Sequence, residues 1–398
     1  MAAMTGVRNR LACLLFAVVV GVNLTVSVDQ QFSYLAESFL QGKTYFLEPS
    51  AFGHDTAFFQ GKYYWPLGPF PAVLLLPFVL VFRSFGLFFF QSYLHVFLVF
   101  GVFYSFFKIA RRVGYSPDDA AFLAFAFCFA SAFLGVAIYS GSWYFAQVVA
   151  VFLVTLALLE YLGKKRLWII GTLMGLAFVT RVTAALNILF FVMGVVVADT
   201  KLRNKMSAIC ALSFPVLVGL AALALYNHAR FGNWLEQGYS LQILGGAAAL
   251  ARSYGVMSLV HVPGNLFYFL FAGPLPVTFD SVSQVLIFPY LRANPWGMSL
   301  FITSPYFLYL FCLKYDDLIS KQLLISIAVV ASCIFTYYGI GNVQFGYRYS
   351  LDFLPFLFFL LIRNYQNERP ELSPCFKKVI LLTALTNCYL VLTVLRFG

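Results

Sequence analysis

The chain is poor in charge. Only 10% of its 398 residues are Asp, Glu, Lys or Arg, against about 25% in a soluble domain. Acids are scarcer than bases, 15 against 26, and there are only four histidines. No polar block is long enough to form a separate soluble domain. The seven cysteines (13, 128, 210, 312, 333, 375 and 388) fall in apolar runs or, for Cys375, in a basic segment. None lies where an outer loop is expected, so no disulfide framework is expected, and their spacing fits no metal site. What is present is apolar: 62% hydrophobic residues and a mean hydropathy of +0.85. Uncharged runs of about 20 residues recur along the chain, which implies an all-α polytopic membrane protein, read as one domain over residues 1–398.

The net charge of +11 raises nucleic acid as a partner, but the distribution excludes it. Seventeen of the 26 basic residues fall in six clusters between apolar runs: Arg8/Arg10, "KIARR" (108–112), "GKKR" (163–166), "KLRNK" (201–205), "LKYDDLISK" (313–321) and "IRNYQNERPELSPCFKK" (362–378). A cluster after every second crossing is the positive-inside pattern.

With Arg8 and Arg10 inside, residues 11–28 span roughly 27 Å of helix, about one hydrocarbon core, and Asp29 emerges outside. The rival is a cleaved signal peptide, whose apolar region is usually about 7–15 residues. "PFPAVLLLPFVLVF" (69–82) is short and holds three prolines. Were it to cross, "KIARR" would lie outside, so it is expected to stay on the outer side. Further crossings are expected near 90–107, 120–138, 146–162, 167–180, 183–198, 208–226, 298–313, 322–338, 350–362 and 379–395. That makes about eleven, with outer segments at 29–89 and 227–296 forming the active face.

Ionisable groups at membrane depth are costly and tend to be functional; Asp29, Arg181, Arg348 and Asp352 qualify. In residues 30–42, "QQFSYLAESFLQG", Phe32, Leu35, Phe39 and Leu40 recur at helical spacing and Gly42 stops the pattern. The expected element is an amphipathic helix lying in the interface plane.

Five segments, in order, resemble the GT-C class of integral-membrane glycosyltransferases that use polyprenyl-phosphate sugars. They are "DQQFSYLAESFLQGKTYFL", "DTAFFQGKYYWPLGPFPAVLLLPF", "GLAFVTRVTAAL", "YNHARFGNWLEQGY" and "QFGYRYSLDFLPFLFFLL", which together reach from residue 29 to about 360. The resemblance implies a transferase whose partners are a polyprenyl-phosphate-linked sugar, the bilayer and a glycan, lipid or protein acceptor. It implies a multi-pass protein of the plasma membrane with its site facing outside. A carboxylate at the membrane boundary would take the acceptor proton, and cations would hold the leaving phosphate. Asp29 fits the first role, with Asp55 as a second acid. Arg348, then Arg181 and Lys62, fit the second. Tyr63, Tyr64, Trp65, Glu37 and Asp352 are the substrate-binding candidates. Many members carry two acids where this chain has Asp29 followed by Gln30 and Gln31. That leaves Asp29 a lone base and a divalent ion only an option.

Each candidate has a plainer explanation. Asp29 is a good helix N-cap and Asp55 a turn residue. Arg348 and Asp352 stand four apart, as an ion pair on a helix would. Arg181 is placed to snorkel, and the tyrosines and Trp65 to form an interfacial belt. Two other classes stay open: a transporter or flippase of lipid-linked substrates, which would predict paired repeats and mid-membrane charges, and a non-catalytic membrane scaffold.

Overall fold

The computed structural model describes residues 2–26, 29–48, 55–199, 201–280 and 282–397. His54, beside Asp55, lies outside the described residues. Among the described residues, six helices are long and apolar enough to cross a membrane: Ala3–Thr25, Gln91–Val113, Ser142–Tyr161, Leu202–Phe231, Leu318–Thr336 and Pro374–Val394. Each matches an expected crossing. The other five expected crossings are short or broken. Residues 120–138 form Pro117–Phe129 and Phe133–Ile138, and 298–313 form Leu300–Thr303 and a 3-10 run, Pro305–Cys312. Leu167–Phe178, of 12 residues, rises only about 18 Å. The proline-rich helix Phe70–Ser84 has 15 residues with Pro77 inside, roughly 22 Å. Length alone does not separate that helix from the short expected crossings.

The breaks have local causes. Between Phe129 and Phe133, the Ser131 hydroxyl donates to the Phe127 carbonyl at 2.5 Å and accepts from the Phe133 amide at 3.0 Å. It thus competes with the helical ladder. The backbone then passes close to residues 344–346: a Cβ on Gly135 would stand 2.7 Å from Cβ of Phe345.

The chain divides into two compact units of discontinuous segments: residues 1–22, 99–138 and 257–398, and residues 23–98 and 139–256. In the second, helix Leu167–Phe178 lies against Leu202–Phe231 with the backbones nearly touching. A Cβ on Gly171 would meet the Leu212 carbonyl oxygen at 2.3 Å, and one on Gly175 the Pro215 oxygen at 2.6 Å. This is the small-xxx-small packing of membrane helices. Gly232, at φ +68, ends the long helix, the left-handed stop that favours glycine.

In the first unit, several basic segments gather at one end. Arg8 and Lys377 both bond Asp118, at 2.9 and 3.0 Å, and Lys377 also reaches Asp119 at 2.6 Å. Burial raises the Asp118 carboxyl, but bonds from Lys377 and Thr5 and the charge of Arg8 outweigh it and hold it below the usual carboxylate range. Nearby, Asp317 caps helix Leu318–Thr336 and bonds Arg363 at 3.1 Å. Burial opposes ionisation there too. The Ser320 and Arg363 bonds prevail and bring Asp317 down to about 2.

Candidate functional site

Asp29 sits where the chain turns from the first long helix into helix Gln31–Leu40. Its φ is +56, the left-handed region that few residues other than Gly, Asn and Asp occupy. Three donors converge on its carbonyl oxygen: the Ser142 amide at 3.0 Å, the Ser142 hydroxyl at 2.6 Å and the Gln91 amide nitrogen Nε2 at 3.1 Å. Gln91 is fully buried. Its Nε2 also donates to the Ser140 carbonyl at 2.6 Å, and its backbone N–H donates to Gln30 Oε1 at 2.9 Å. With a further bond from Nε2 to the Ser142 hydroxyl at 3.2 Å, this one side chain ties Asp29, Ser140 and Ser142 together.

This clamp leaves the carboxylate facing out. Asp29 is exposed, and the Tyr139 hydroxyl donates to its Oδ2 at 3.1 Å. Burial first, then the charge and hydrogen bond of Asp29, push the Tyr139 hydroxyl well above the usual phenol range. The N-cap of helix Gln31–Leu40 is Gln30, with no side-chain cap bond, so Asp29 does not cap that helix.

The helix expected at 30–42 forms over Gln31–Leu40, with protein covering much of its apolar face while Phe39 and Leu40 stay half-buried. Phe32, Leu35 and Ala36 are fully buried. The Phe32 ring packs on Trp65 at 5.8 Å and Phe145 at 5.9 Å. Gln31, Ser33 and Ser38 are buried too, so protein covers more of this helix than periodicity could reveal.

Four of the sequence segments singled out above meet around Trp65 and Gly68, Phe32 coming from the first. Residues 57–64 form a hairpin, Ala57–Phe59 with Lys62–Tyr64, turned by Gln60 and Gly61 at φ +50 and +76. After it, the Phe70 amide bonds the Val179 carbonyl at 3.2 Å, and a Cβ on Gly68 would stand 2.1 Å from that same oxygen. "WPLGPF" is thus pressed against the break between "GLAFV" and Arg181. Arg230 donates to the Trp65 carbonyl at 2.7 Å and stacks on Tyr226 at 4.0 Å.

The sequence candidates fare unequally. Trp65 is fully buried between Phe32 and Trp143, so its ring is neither sugar platform nor belt. Tyr64 is a core residue with Ala57 and Phe231, and Tyr63 is half-buried against Phe58. Asp55, at φ +60, bonds Ile243 and Gln242 through its backbone at 2.9 and 3.0 Å, which is a turn residue's work. Lys62 is exposed, its ammonium 4.4 Å from the Tyr45 ring centre. Arg181 is half-buried at the start of the short helix Val182–Ala185. Glu37 and Glu48 line an open cleft of about 160 Å³ with Tyr34, Gln41, Phe46 and Leu47. Burial, and then Glu48, raise the Glu37 carboxyl against the opposing charge of Arg83.

Arg348 and Asp352 belong to the first unit and are both buried. They stand on a 3-10 turn, Arg348–Asp352, rather than on an α-helix. The Arg348 guanidinium lies over the Tyr349 ring at 4.9 Å. Tyr347 fixes the segment, its hydroxyl bonding Asn265 at 2.9 Å and its amide the Met298 carbonyl at 3.1 Å.

Gln91, Tyr139, Ser142 and Arg230 were not among the sequence candidates. Arg230 stood inside a segment already singled out. The other three lie 62, 110 and 113 residues from Asp29, beyond any local pattern. Among the described residues, no three His, Cys, Asp or Glu side chains gather as a metal site would require.

No family model matches the sequence, and no curated protein matches it. Among solved structures, the oligosaccharyltransferase of Archaeoglobus fulgidus in its apo form is similar over 96% of this chain and 55% of its own, with a TM-score of 0.46 and 13% identity. This chain thus spans about half the length of that protein, and a likeness so distant carries no inference about activity.

Proposed function

We propose that this chain is a membrane glycosyltransferase of the GT-C kind, moving a sugar from a polyprenyl-phosphate donor to an acceptor hydroxyl at the outer face. The observation that supports it most is the Asp29 clamp. A left-handed aspartate held through its carbonyl, released from capping and turned outward with a phenol donor on one oxygen, is arranged to use its second oxygen.

In this mechanism the acceptor oxygen attacks the anomeric carbon and its proton passes to Asp29. The bond from that carbon to the phosphate oxygen breaks, and the polyprenyl phosphate leaves with the electron pair. Of the cations proposed for the phosphate, Arg181 and Lys62 belong to Asp29's own unit and Arg348 to the other. Glu37 is proposed as a contact for sugar hydroxyls.

The test begins with cells lacking the protein, in which the donor should accumulate as a lipid-linked sugar identifiable by mass spectrometry. That lipid, with purified protein in vesicles, should support transfer. Asp29→Asn should lower the rate by roughly 10²–10⁴, the range for general-base removal, with unchanged thermal stability. Transfer within a few-fold of wild type would remove Asp29 from the mechanism.

A further inference from the structure

The first unit carries a second hairpin, Leu275–Thr278 with Leu286–Arg292, that is apolar on both faces and exposed. In the regular stretch at the start of Leu286–Arg292, Leu286 is 49% exposed and Phe288 66% on one face, with Ile287 at 39% on the other, and beyond it Tyr290 is 54% and Leu291 42% exposed. Toward the turn, Phe279 is 75% exposed and Val282 89%. Successive strand residues point to opposite faces, so one docking partner would cover only half of this surface. A medium that surrounds the hairpin covers all of it.

The hairpin's attachment fixes its depth. The Tyr389 hydroxyl donates to the Pro289 carbonyl, and the Ala293 amide donates to the Thr393 hydroxyl at 2.9 Å. Both partners lie in the last turns of Pro374–Val394, a helix long and apolar enough to cross a membrane. The helix runs on to Phe397, so Tyr389 is eight residues from its end, roughly 12 Å by helical rise. A two-stranded sheet has two open edges, and unpaired backbone groups are not tolerated in the hydrocarbon centre. Aromatic side chains favour the headgroup boundary instead. The tip charge, Asp280, is satisfied locally: the Val282 and Ser283 amides and the Ser283 hydroxyl bond its carboxylate, the first and last at 2.7 Å.

From this geometry we infer that the hairpin 275–292 is a lipid-inserted element, seated at the headgroup–acyl boundary of the leaflet in which Pro374–Val394 ends. Its occupant is lipid, and the inference is independent of the proposed chemistry. Single cysteines at 285 and 288, in a chain whose seven native cysteines are replaced, would carry an environment-sensitive fluorophore. The labelled protein would be reconstituted in phosphatidylcholine–phosphatidylglycerol vesicles. Nitroxide at acyl carbon 5 should quench both positions several-fold more than nitroxide at carbon 12, and aqueous iodide should quench them weakly. Strong iodide quenching would overturn the inference. So would protection from iodide without nitroxide quenching, which would mean that protein covers the hairpin. Where the cysteine-free chain does not fold, a photo-crosslinking residue at 288 of the native chain gives the same decision. Adducts with phospholipid support lipid as the occupant, and adducts with a second copy or another protein overturn it.

Discussion

Asp29 and the Asp118–Asp119 pair put carboxylates to opposite uses. At Asp118 and Asp119 the acids are spent. Arg8, Lys377 and Thr5 bond them directly, and the Leu372 amide takes Asp119 Oδ2 at 3.1 Å. At Asp29 the strong bonds go to the backbone carbonyl, and the carboxylate keeps a single phenol donor among the contacts described above. The first arrangement joins three chain segments. The second fixes where a carboxylate stands while leaving it able to receive a proton. On the proposed reading, counting charged neighbours would rank the two places the other way round, because a general base needs a carboxylate oxygen that is not already engaged.

The contrast is broken most directly by exchanging symptoms. Asp29→Asn should remove activity and spare stability. Lys377→Met should do the reverse. Lys377 is only 3% exposed, and its loss takes the ammonium partner from two carboxylates, one of them fully enclosed, leaving Arg8 and Thr5 on Asp118 and the Leu372 amide on Asp119. Removing one partner of a buried pair typically costs about 3–5 kcal/mol. The melting temperature should fall sharply while activity per folded molecule stays near wild type. A Lys377→Met protein that melts normally would mean the network is solvated and holds little.

Gln91→Met sharpens the comparison at its centre. Methionine keeps the volume and loses all of the side-chain bonds that hold Asp29, Ser140 and Ser142. A misplacement of about 1 Å at a reacting group can cost on the order of 10²-fold in rate, so activity should fall by that order and less than with Asp29→Asn. Donor affinity should stay constant, since Gln91 is buried and does not face the ligand. A loss confined to affinity would contradict the clamp.

The long helices were legible because hydropathy is summed over many residues and tolerates local error. Asp29 was legible because a lone acid ends an uncharged run. The helix after it was legible as a helix by its period, but not as a buried one, since its apolar face looks the same whether lipid or Phe145 and Trp65 cover it. The broken crossings were not legible. The break after Phe129 rests on one serine's local bonds, and the close approaches at Gly68 and Gly135 on partners far along the chain. The same holds for the clamp. "LWIIGTLMGLAF" did contain a G-x-x-x-G packing signal within reach of sequence reasoning. The hairpin at 57–64 was less legible, since its turn places Gln60, not the usual Asn, Asp or Gly, at a positive φ.

Tyr139→Phe is the finest cut. It removes only the hydroxyl that touches Asp29 Oδ2 and leaves the ring against Tyr144 at 5.0 Å. A bond to a charged group contributes about 1.5–3 kcal/mol, and part of that is regained from water at an exposed carboxylate. The rate should therefore fall by about tenfold or less. Its pH dependence separates orientation from accident. The Tyr139 hydroxyl is raised above the usual phenol value by burial and by Asp29, so it remains a donor below its folded-state value and would be lost only as pH rises through that value. An ordinary tyrosine would start to ionise near pH 10. The ratio of wild-type to Tyr139→Phe rates should thus stay flat from neutral pH up to about 10. A ratio that already collapses toward one near pH 9–10 would show a phenol titrating as if in water. Tyr139 would then not be engaged with Asp29, and the carboxylate would be held by its backbone clamp alone.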